Sequence, residues 1–436
     1  MNQEQALEIM KMGHNVFLTG EAGSGKTYLL EKYIDYLENK GVKTAITAST
    51  GIAATHLDGV TIHSWAGIGV NNTLSDKEIS NLLERKYLQK HFEGTEVLII
   101  DEVSMLTAKQ LDMIDRVCKA FKKNKLPFGG LQIILSGDFF QLPPVSSENK
   151  VDFAFNSYIW EEIDLKICYL TDQFRQKNDK LQEVLSKIRQ NKINSKVKKI
   201  LQQRVKTDSS NEDITKLYTH NKDINKINSK KLSNLSAEKH NYKMKTEGEG
   251  KVVGILKNNC LVAEELFLKK GALVMFIKNN FDKGYVNGML GKVVDFENFT
   301  GYPVVELESG KNITVTPKKW KVKEGEEVQA EVKQIPLKLA WAITVHKSQG
   351  MSLDKAEIDL SKSFIEGMGY VALSRVKELT GIYLKGFNET SLKVNQDIVS
   401  VDKQLKQKSS QTLDALTDMN KEKIKNIQQD FIETSV

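Results

Sequence analysis

At 436 residues, with a net charge of +7, 40 % hydrophobic and 27 % charged side chains, the chain has the makeup of a water-soluble protein built from several domains. It contains no apolar run of about eighteen residues, and its N-terminus has neither a signal-peptide core nor an Arg-rich transit pattern, so an intracellular soluble enzyme with no membrane partner is expected. Cys118, Cys168 and Cys260 are scattered without metal-ligand spacing, which excludes a disulfide framework and points to buried thiols.

The first strong signal in chain order is the apolar run Val16, Phe17, Leu18 followed by Gly20-Glu-Ala-Gly-Ser-Gly-Lys-Thr27 and a helix-like stretch. That pattern is a phosphate-binding loop between strand and helix. The backbone around Gly23, Ser24 and Gly25 curls about a triphosphate, Lys26 reaches the β and γ phosphates, and the Thr27 hydroxyl can ligate Mg²⁺. Candidate strands follow at Thr44 to Ala48, Val97 to Ile100 and Gln132 to Ser136, alternating with amphipathic stretches, so residues 1–165 read as a doubly wound α/β domain. Thr47 to Ala54, with Thr50, and Thr61-Ile-His63-Ser64-Trp65 combine small residues, hydroxyls and a histidine, a set suited to phosphodiester oxygens. Residues 71–93 are a polar insertion, helical or hairpin. Asp101 and Glu102 close a buried strand where such a sheet presents its ligand crevice, as expected for a Mg²⁺ partner and a water-activating carboxylate. Gly137 to Val145 ends the next strand, and its prolines stiffen the exit so that Gln141 can touch a γ phosphate.

Only six of the 63 basic residues are arginine: Arg85, Arg116, Arg175, Arg189, Arg204 and Arg375. In so lysine-rich a chain an arginine points to a need for the planar fork. Arg175, in Phe-Arg-Gln, and Arg375, in Val-Ala-Leu-Ser-Arg, are candidate fingers stabilising γ-phosphate charge from a different domain. Residues 166–250 are Lys- and Asn-rich with helical spacing. β-branched runs at 272–278, 292–296, 303–307 and 311–316, separated by glycine turns, predict a small β-barrel over 251–334, inserted in a second α/β domain that resumes at 335 and runs to about 400. Within it, Thr344-Val-His346-Lys347-Ser348-Gln-Gly350 repeats the hydroxyl-and-histidine grouping. The tail, 401–436, reads as a solvated helix or a partly disordered segment. Residues that touch only phosphates leave the choice between DNA and RNA open.

Seven ordered blocks, at 13–27, 61–69, 101–105, 127–145, 174–176, 339–350 and 370–376, together resemble the petite-integration-frequency (PIF) helicases, superfamily 1B DNA motors related to RecD. The resemblance covers Gln3 to about Phe387. It implies two RecA-like P-loop NTPase domains, with 251–334 as an SH3-like β-barrel insertion and 71–95 as a small wedge insertion. It further implies ATP and Mg²⁺ as cofactors and 5′-to-3′ translocation on single-stranded DNA with unwinding of forked or partial duplexes. G-quadruplex DNA is a further candidate substrate, and a monomer is expected in the absence of DNA. Gln3 falls at the family's adenine-reading position, and Gly350 joins the nucleotide set. The family's DNA contacts fall on Thr61, His63 and Ser64 in the first domain and on His346 and Ser348 in the second, with the Tyr218 to Asn221 stretch, His220 and Asn221 within it, a weaker candidate; Thr344 and Lys347 join the DNA-binding set from the grouping around them.

Overall fold

The computed structural model describes residues 1–69, 73–144, 151–174, 179–205, 214–219, 224–248, 250–260, 262–278, 280, 282–285, 289–307, 309–324, 327–345, 348–349 and 351–435. Two compact units emerge: residues 1–176, 189–191 and 394–436 form the first, and residues 177–188 and 192–393 the second.

The first unit opens with α1 (Gln3–Lys11), capped by Asn2 and Gln5, then β1 (Val16–Gly20), α2 (Lys26–Asn39), β2 (Thr44–Ala48), α3 (Gly51–His56), β3 (Val60–Thr61) and α4 (Ile62–Trp65). There follow α5 (Asp76–Leu83), α6 (Lys86–Phe92), β4 (Val97–Asp101), α7 (Ala108–Lys122), β5 (Gln132–Gly137), α8 (Tyr158–Glu162), β6 (Lys166–Leu170) and α9 (Asp179–Arg189), whose last residue alone belongs to this unit. The strands form a parallel sheet in the order β3-β2-β4-β5-β1-β6. β1, β4 and β5 are buried along their whole length, as continuous apolar runs in a sheet covered on both faces should be. Lys166–Leu170, which the sequence places at the start of the second domain, pairs with β1 instead, so the first sheet closes one strand later than expected. The insertion at 71–95 is helical where described, and the Arg116 guanidinium holds its entry through Leu74 O (2.8 Å) and Asp76 (2.7 Å).

The second unit runs through α10 (Ser195–Val205), β7 (Thr215–Tyr218), α11 (Ile224–Ser233), β8 (Lys239–Lys243), β9 (Lys245–Gly248), α12 (Gly250–Asn259), β10 (Glu265–Lys269), β11 (Leu273–Phe276), β12 (Leu290–Phe296), β13 (Pro303–Leu307) and β14 (Asn312–Thr314). It continues with β15 (Lys318–Glu324), β16 (Glu327–Gln334), β17 (Leu337–Leu339), β18 (Ala342–Thr344), β19 (Ala356–Leu360), α13 (Met368–Ser374) and β20 (Ile382–Phe387). β18-β7-β19-β20 form a second parallel sheet, while β14-β13-β12-β11-β17 form a five-stranded antiparallel one. A long hairpin, β15 with β16, carries β9 on its free side. The buried Gln334 carboxamide donates to Tyr242 O and Ala263 O at 3.0 Å each, tying the end of β16 to the β8 strand and to the segment before β10.

The chain then returns to the first unit as α14 (Gln396–Thr417) and α15 (Lys421–Ser435), so the tail is helical and docked. α14 covers the edge strand β6, where the Tyr169 N–H donates to Ser409 Oγ at 3.1 Å. α15 reaches α1: Gln428 bonds Glu8 at 2.8 Å, and Phe431 lies over Gly13 so closely that a Cβ there would sit 2.5 Å from its ring.

The core of this unit gathers Val16, Leu18, Leu29, Tyr33, Leu37, Ile99 and Ile134. Tyr33 is wholly buried, with its hydroxyl 2.7 Å from Gln132 Oε1 and 2.9 Å from Met10 O. Tyr33→Phe strands the Gln132 oxygen without a donor and should cost roughly 1–3 kcal/mol, read from urea unfolding midpoints at unchanged slope.

Candidate active site

The phosphate loop takes the strained shape its sequence implies. Gly23 and Gly25 have φ of 91° and 82°, and Gly25 precedes α2 without any capping side chain, so the first-turn N–H groups of that helix face the loop uncapped. A Cβ on Gly25 would overlap Gln3 Nε2, which donates to Gly25 O at 3.2 Å and Ser24 O at 3.5 Å. Gln3 therefore secures the loop from α1. The Lys26 ammonium donates to Gly20 O (3.0 Å) and Glu21 O (3.2 Å). Desolvation lowers its pKa, against the pull of Asp138, Glu102 and Asp101. Thr27 follows in the first turn of α2, half-buried.

Asp101 ends β4, and burial raises its pKa while the Ser136 hydroxyl, the Glu102 N–H (2.9 Å) and Lys26 oppose the rise. The same cause therefore moves a cation and an anion in opposite directions, as it must when both charged forms lose water. Glu102 has left-handed backbone torsions, φ 53° and ψ 43°, rare for a residue with a side chain. Ser49, just after β2, ties to both: its N–H donates to Asp101 O at 3.0 Å and its hydroxyl to Glu102 O at 2.7 Å. Gln141 is buried in the turn after β5, with its N–H on Asp138 O at 2.9 Å and its Oε1 lacking a hydrogen-bond partner. That buried oxygen keeps capacity to accept a hydrogen bond at the edge where the phosphate loop and Asp101 lie.

Along the same edge, Thr50 caps α3 through Ala53 N and Thr61 caps α4 through Ser64 N, each at 3.2 Å. His63 is half-buried, with Nε2 3.3 Å from the Gln110 amide, and desolvation lowers its pKa. The first unit thus gathers Gln3, Gly23, Ser24, Gly25, Lys26, Thr27, Asp101, Glu102 and Gln141, with Thr50, Thr61, His63 and Ser64 beside them.

In the second unit Thr344 ends β18, and the buried Ser348 hydroxyl donates to Val345 O at 2.7 Å. Arg375 follows α13, 1 % exposed, its guanidinium bonded to Val371 O (3.0 Å) and Ser374 Oγ (2.9 Å). Arg175, His220, Asn221, His346, Lys347 and Gly350 lie outside the described residues.

Two residues at the loop were not singled out by sequence. Phe174 is 61 % exposed, and its N–H donates to Gly23 O at 3.0 Å, setting an aromatic face beside Gly25 and Gln3. Arg189 is 4 % exposed and bonded to Asp138. The scarcity of arginine applied to it as much as to Arg175 and Arg375, and its place after Leu181, Leu185 and Ile188 on the buried face of α9 could have raised it.

A parallel sheet with a glycine loop feeding a helix, a carboxylate pair one strand-end away and a polar turn between them defines a P-loop nucleotide hydrolase of RecA-like type. A model of the PIF1-like helicase family matches residues 2–211, and one of the DNA helicase Pif1 2B domain matches residues 254–296. The protein named ATP-dependent DNA helicase Pif1 from Psychrobacter sp. is 41 % identical, with 99 % of this chain and 75 % of that one covered. Vertebrate relatives of the same name are longer, and the chain spans 62 % of the Xenopus laevis protein. Among solved structures, Bacteroides sp. Pif1 in complex with ADP-AlF4 superposes with a TM-score of 0.79 at 33 % identity, covering 93 % of this chain and 96 % of that one. Bacteroides Pif1 bound to single-stranded DNA gives 0.64 at 33 % identity, covering 94 % and 97 %. The chain belongs to the PIF1-like helicase family.

Gly25→Ala forces a side chain into left-handed torsions and against Gln3, and should weaken ADP binding by about tenfold or more in calorimetry while the thermal midpoint moves only a few degrees.

Proposed function

We propose that the protein is an ATP-dependent DNA helicase that moves 5′-to-3′ along single-stranded DNA and opens forked or partial duplexes. The observation that carries this reading is the shared sheet edge: the phosphate loop, Asp101, Glu102 and Gln141 occupy it together with Thr50, Thr61, His63 and Ser64, and Ser49, the residue before Thr50, bonds the backbone of Asp101 and Glu102. The names of its relatives, and the nucleotide and strand held by the Bacteroides proteins, support the same reading.

In this proposal Lys26 turns from its loop carbonyls to the β and γ phosphates, as the charge of a triphosphate outcompetes neutral acceptors. The left-handed backbone at Glu102 aims its carboxylate at the attacking water, while Gln141 donates its amide N–H to the γ phosphate and its unpaired Oε1 can accept from that water. Among the described residues no group of three or more His, Cys, Asp or Glu could hold a metal unaided, and Thr27 with Asp101 offers hard oxygen donors. That set fits Mg²⁺ completed by phosphate oxygens and water, which would neutralise phosphate charge. Arg175 and Arg375 are the proposed cations for the charge that develops in transfer, with Gln3 and Phe174 flanking the base.

We further infer two RecA-like domains, laid out as 1–165 and as 166–250 with 335–400 except that β6 (Lys166–Leu170) goes to the first, with 71–95 for the wedge, 251–334 for the SH3-like barrel and 401–436 for the tail. The antiparallel sheet of β11 to β14 with β17, and the 2B-domain match inside 254–296, support the barrel. G-quadruplex DNA remains a proposed substrate and a monomer the proposed DNA-free state.

Labelled forks carrying a single 5′ or 3′ tail test the reading. Strand separation with ATP should occur on the 5′-tailed fork, and Lys26→Ala should abolish it while leaving strand affinity within a few-fold of wild type; unwinding from the 3′ tail alone would reverse the polarity. Burial lowers the His63 pKa, which favours the neutral ring and its meeting a phosphate as a hydrogen-bonding group rather than as a cation. Strand affinity measured by anisotropy from pH 8 to pH 6.5 should therefore change equally in wild type and His63→Gln.

A further inference from the structure

We propose that Arg189 is a positioning residue of the nucleotide site, setting Gln141 through Asp138. The inference rests on the ATP-hydrolysing part of the reading above and adds to it a residue outside the recognised motifs.

The geometry is that of a hub. Arg189 Nη1 donates to both Asp138 oxygens, at 2.9 and 2.8 Å, and Nη2 to the Tyr169 hydroxyl at 2.9 Å. Nη2 also lies 3.4 Å from Asp402 of α14, and Nε lies 3.7 Å from the Glu21 carboxylate. The Phe140 ring packs under the guanidinium carbon at 4.0 Å. Three carboxylates from three separate elements thus converge on one cation that is 4 % exposed. Lysine, a point charge on a flexible stem, cannot serve that spread, whereas the five N–H groups of a planar fork can.

A core ion pair is the bland reading of any buried arginine. Its first partner argues against that here. Asp138 opens the turn that carries Gln141: its carboxylate accepts the Phe140 N–H at 3.2 Å, and its carbonyl the Gln141 N–H at 2.9 Å. The guanidinium therefore fixes the head of the turn and, through Phe140, its middle, and the residue at its end is the one whose buried Oε1 is unpaired. The second consequence concerns the chain path. Arg189 to Asn191 is a short visit to the first unit, entered after Ile188 and left at Lys192. The Asn191 amide grips Val394, Nδ2 on its O at 2.6 Å and Oδ1 under its N–H at 2.9 Å, where the chain crosses for the last time. One three-residue segment thus joins the γ-phosphate turn to every later crossing.

The test is titration calorimetry of ADP alone and of ADP with aluminium fluoride, on the full chain. Arg189→Lys and Asp138→Asn should each lose about tenfold or more of the preference for the fluoride complex while ADP affinity stays within a few-fold, and Gln141→Ala should do the same. Because all three act on one contact, Arg189→Lys with Gln141→Ala should lose no more than either alone. Tyr169→Phe, which trims an arm not directed at the turn, should keep the full preference. An intact preference in folded Arg189→Lys, a parallel loss of ADP affinity, additive effects, or an equal loss in Tyr169→Phe would each overturn the proposal; should Arg189→Lys fail to fold, Asp138→Asn decides alone. The measurement needs neither DNA nor turnover, so a wild type whose hydrolysis ignores single strands would sink the helicase reading and leave this comparison standing.

Discussion

The parallel register of β1 with its two neighbours is the constraint on which the rest of the structure depends. Thr19 lies opposite Gly137 of β5 and Gly20 opposite Leu170 of β6, so the loops leaving these strands emerge at one edge and in step. A slip of one residue would turn every buried side chain of β1 to the other face and move the phosphate loop away from Asp138 and Gln141. Within the loop, Glu21 adds to that alignment by sharing the Arg189 guanidinium with Asp138. The register is held by Val16, Leu18, Ile99 and Ile134 in the core and by Gln132, whose amide donates to Met10 O and His14 O at 2.8 Å each.

Given that edge, the site is a collection of local penalties sustained by the surrounding fold. Lys26 and Asp101 lose hydration, Glu102 sits in torsions that cost of order 1–3 kcal/mol, and Gln141 keeps an amide oxygen unpaired. The Arg189–Asp138 pair belongs to the same economy: breaking one side of such a buried pair costs about 3–5 kcal/mol because the remaining charge is left uncompensated. Violations of local rule clustered at the ends of three neighbouring strands, β4, β5 and β1, are what a pre-shaped ligand site looks like from inside the protein.

Much of this was legible in the sequence, for identifiable reasons. β1, β2, β4 and β5 announce themselves as short apolar runs bounded by polar turns, and the glycines of the loop have no cheaper explanation than left-handed torsions. What stayed hidden depends on long-range pairing. Lys166-Ile-Cys-Tyr-Leu reads equally well at the edge of either domain, and only its ladder to β1 decides. The hairpin β15–β16 alternates lysine and glutamate with apolar residues, so its charge masks a strand pair fastened by Lys319 and Lys321 on Glu331. Helix α14 has its polar face in water and its purpose in Ser409 and Asp402, which mean nothing without Tyr169. The arginine argument was sound in kind but ranked by motif, and so it passed over a buried guanidinium that reaches three carboxylates.

The hydrogen bonds of Ser49 to the backbone of Asp101 and Glu102 leave the ends of β2 and β4 no freedom to shift separately. Two ligands that share such a rigid body are bound by thermodynamic reciprocity: the factor by which a single strand tightens nucleotide must equal the factor by which nucleotide tightens the strand. For this protein, gripping the track and holding the fuel are then two readings of one coupling constant.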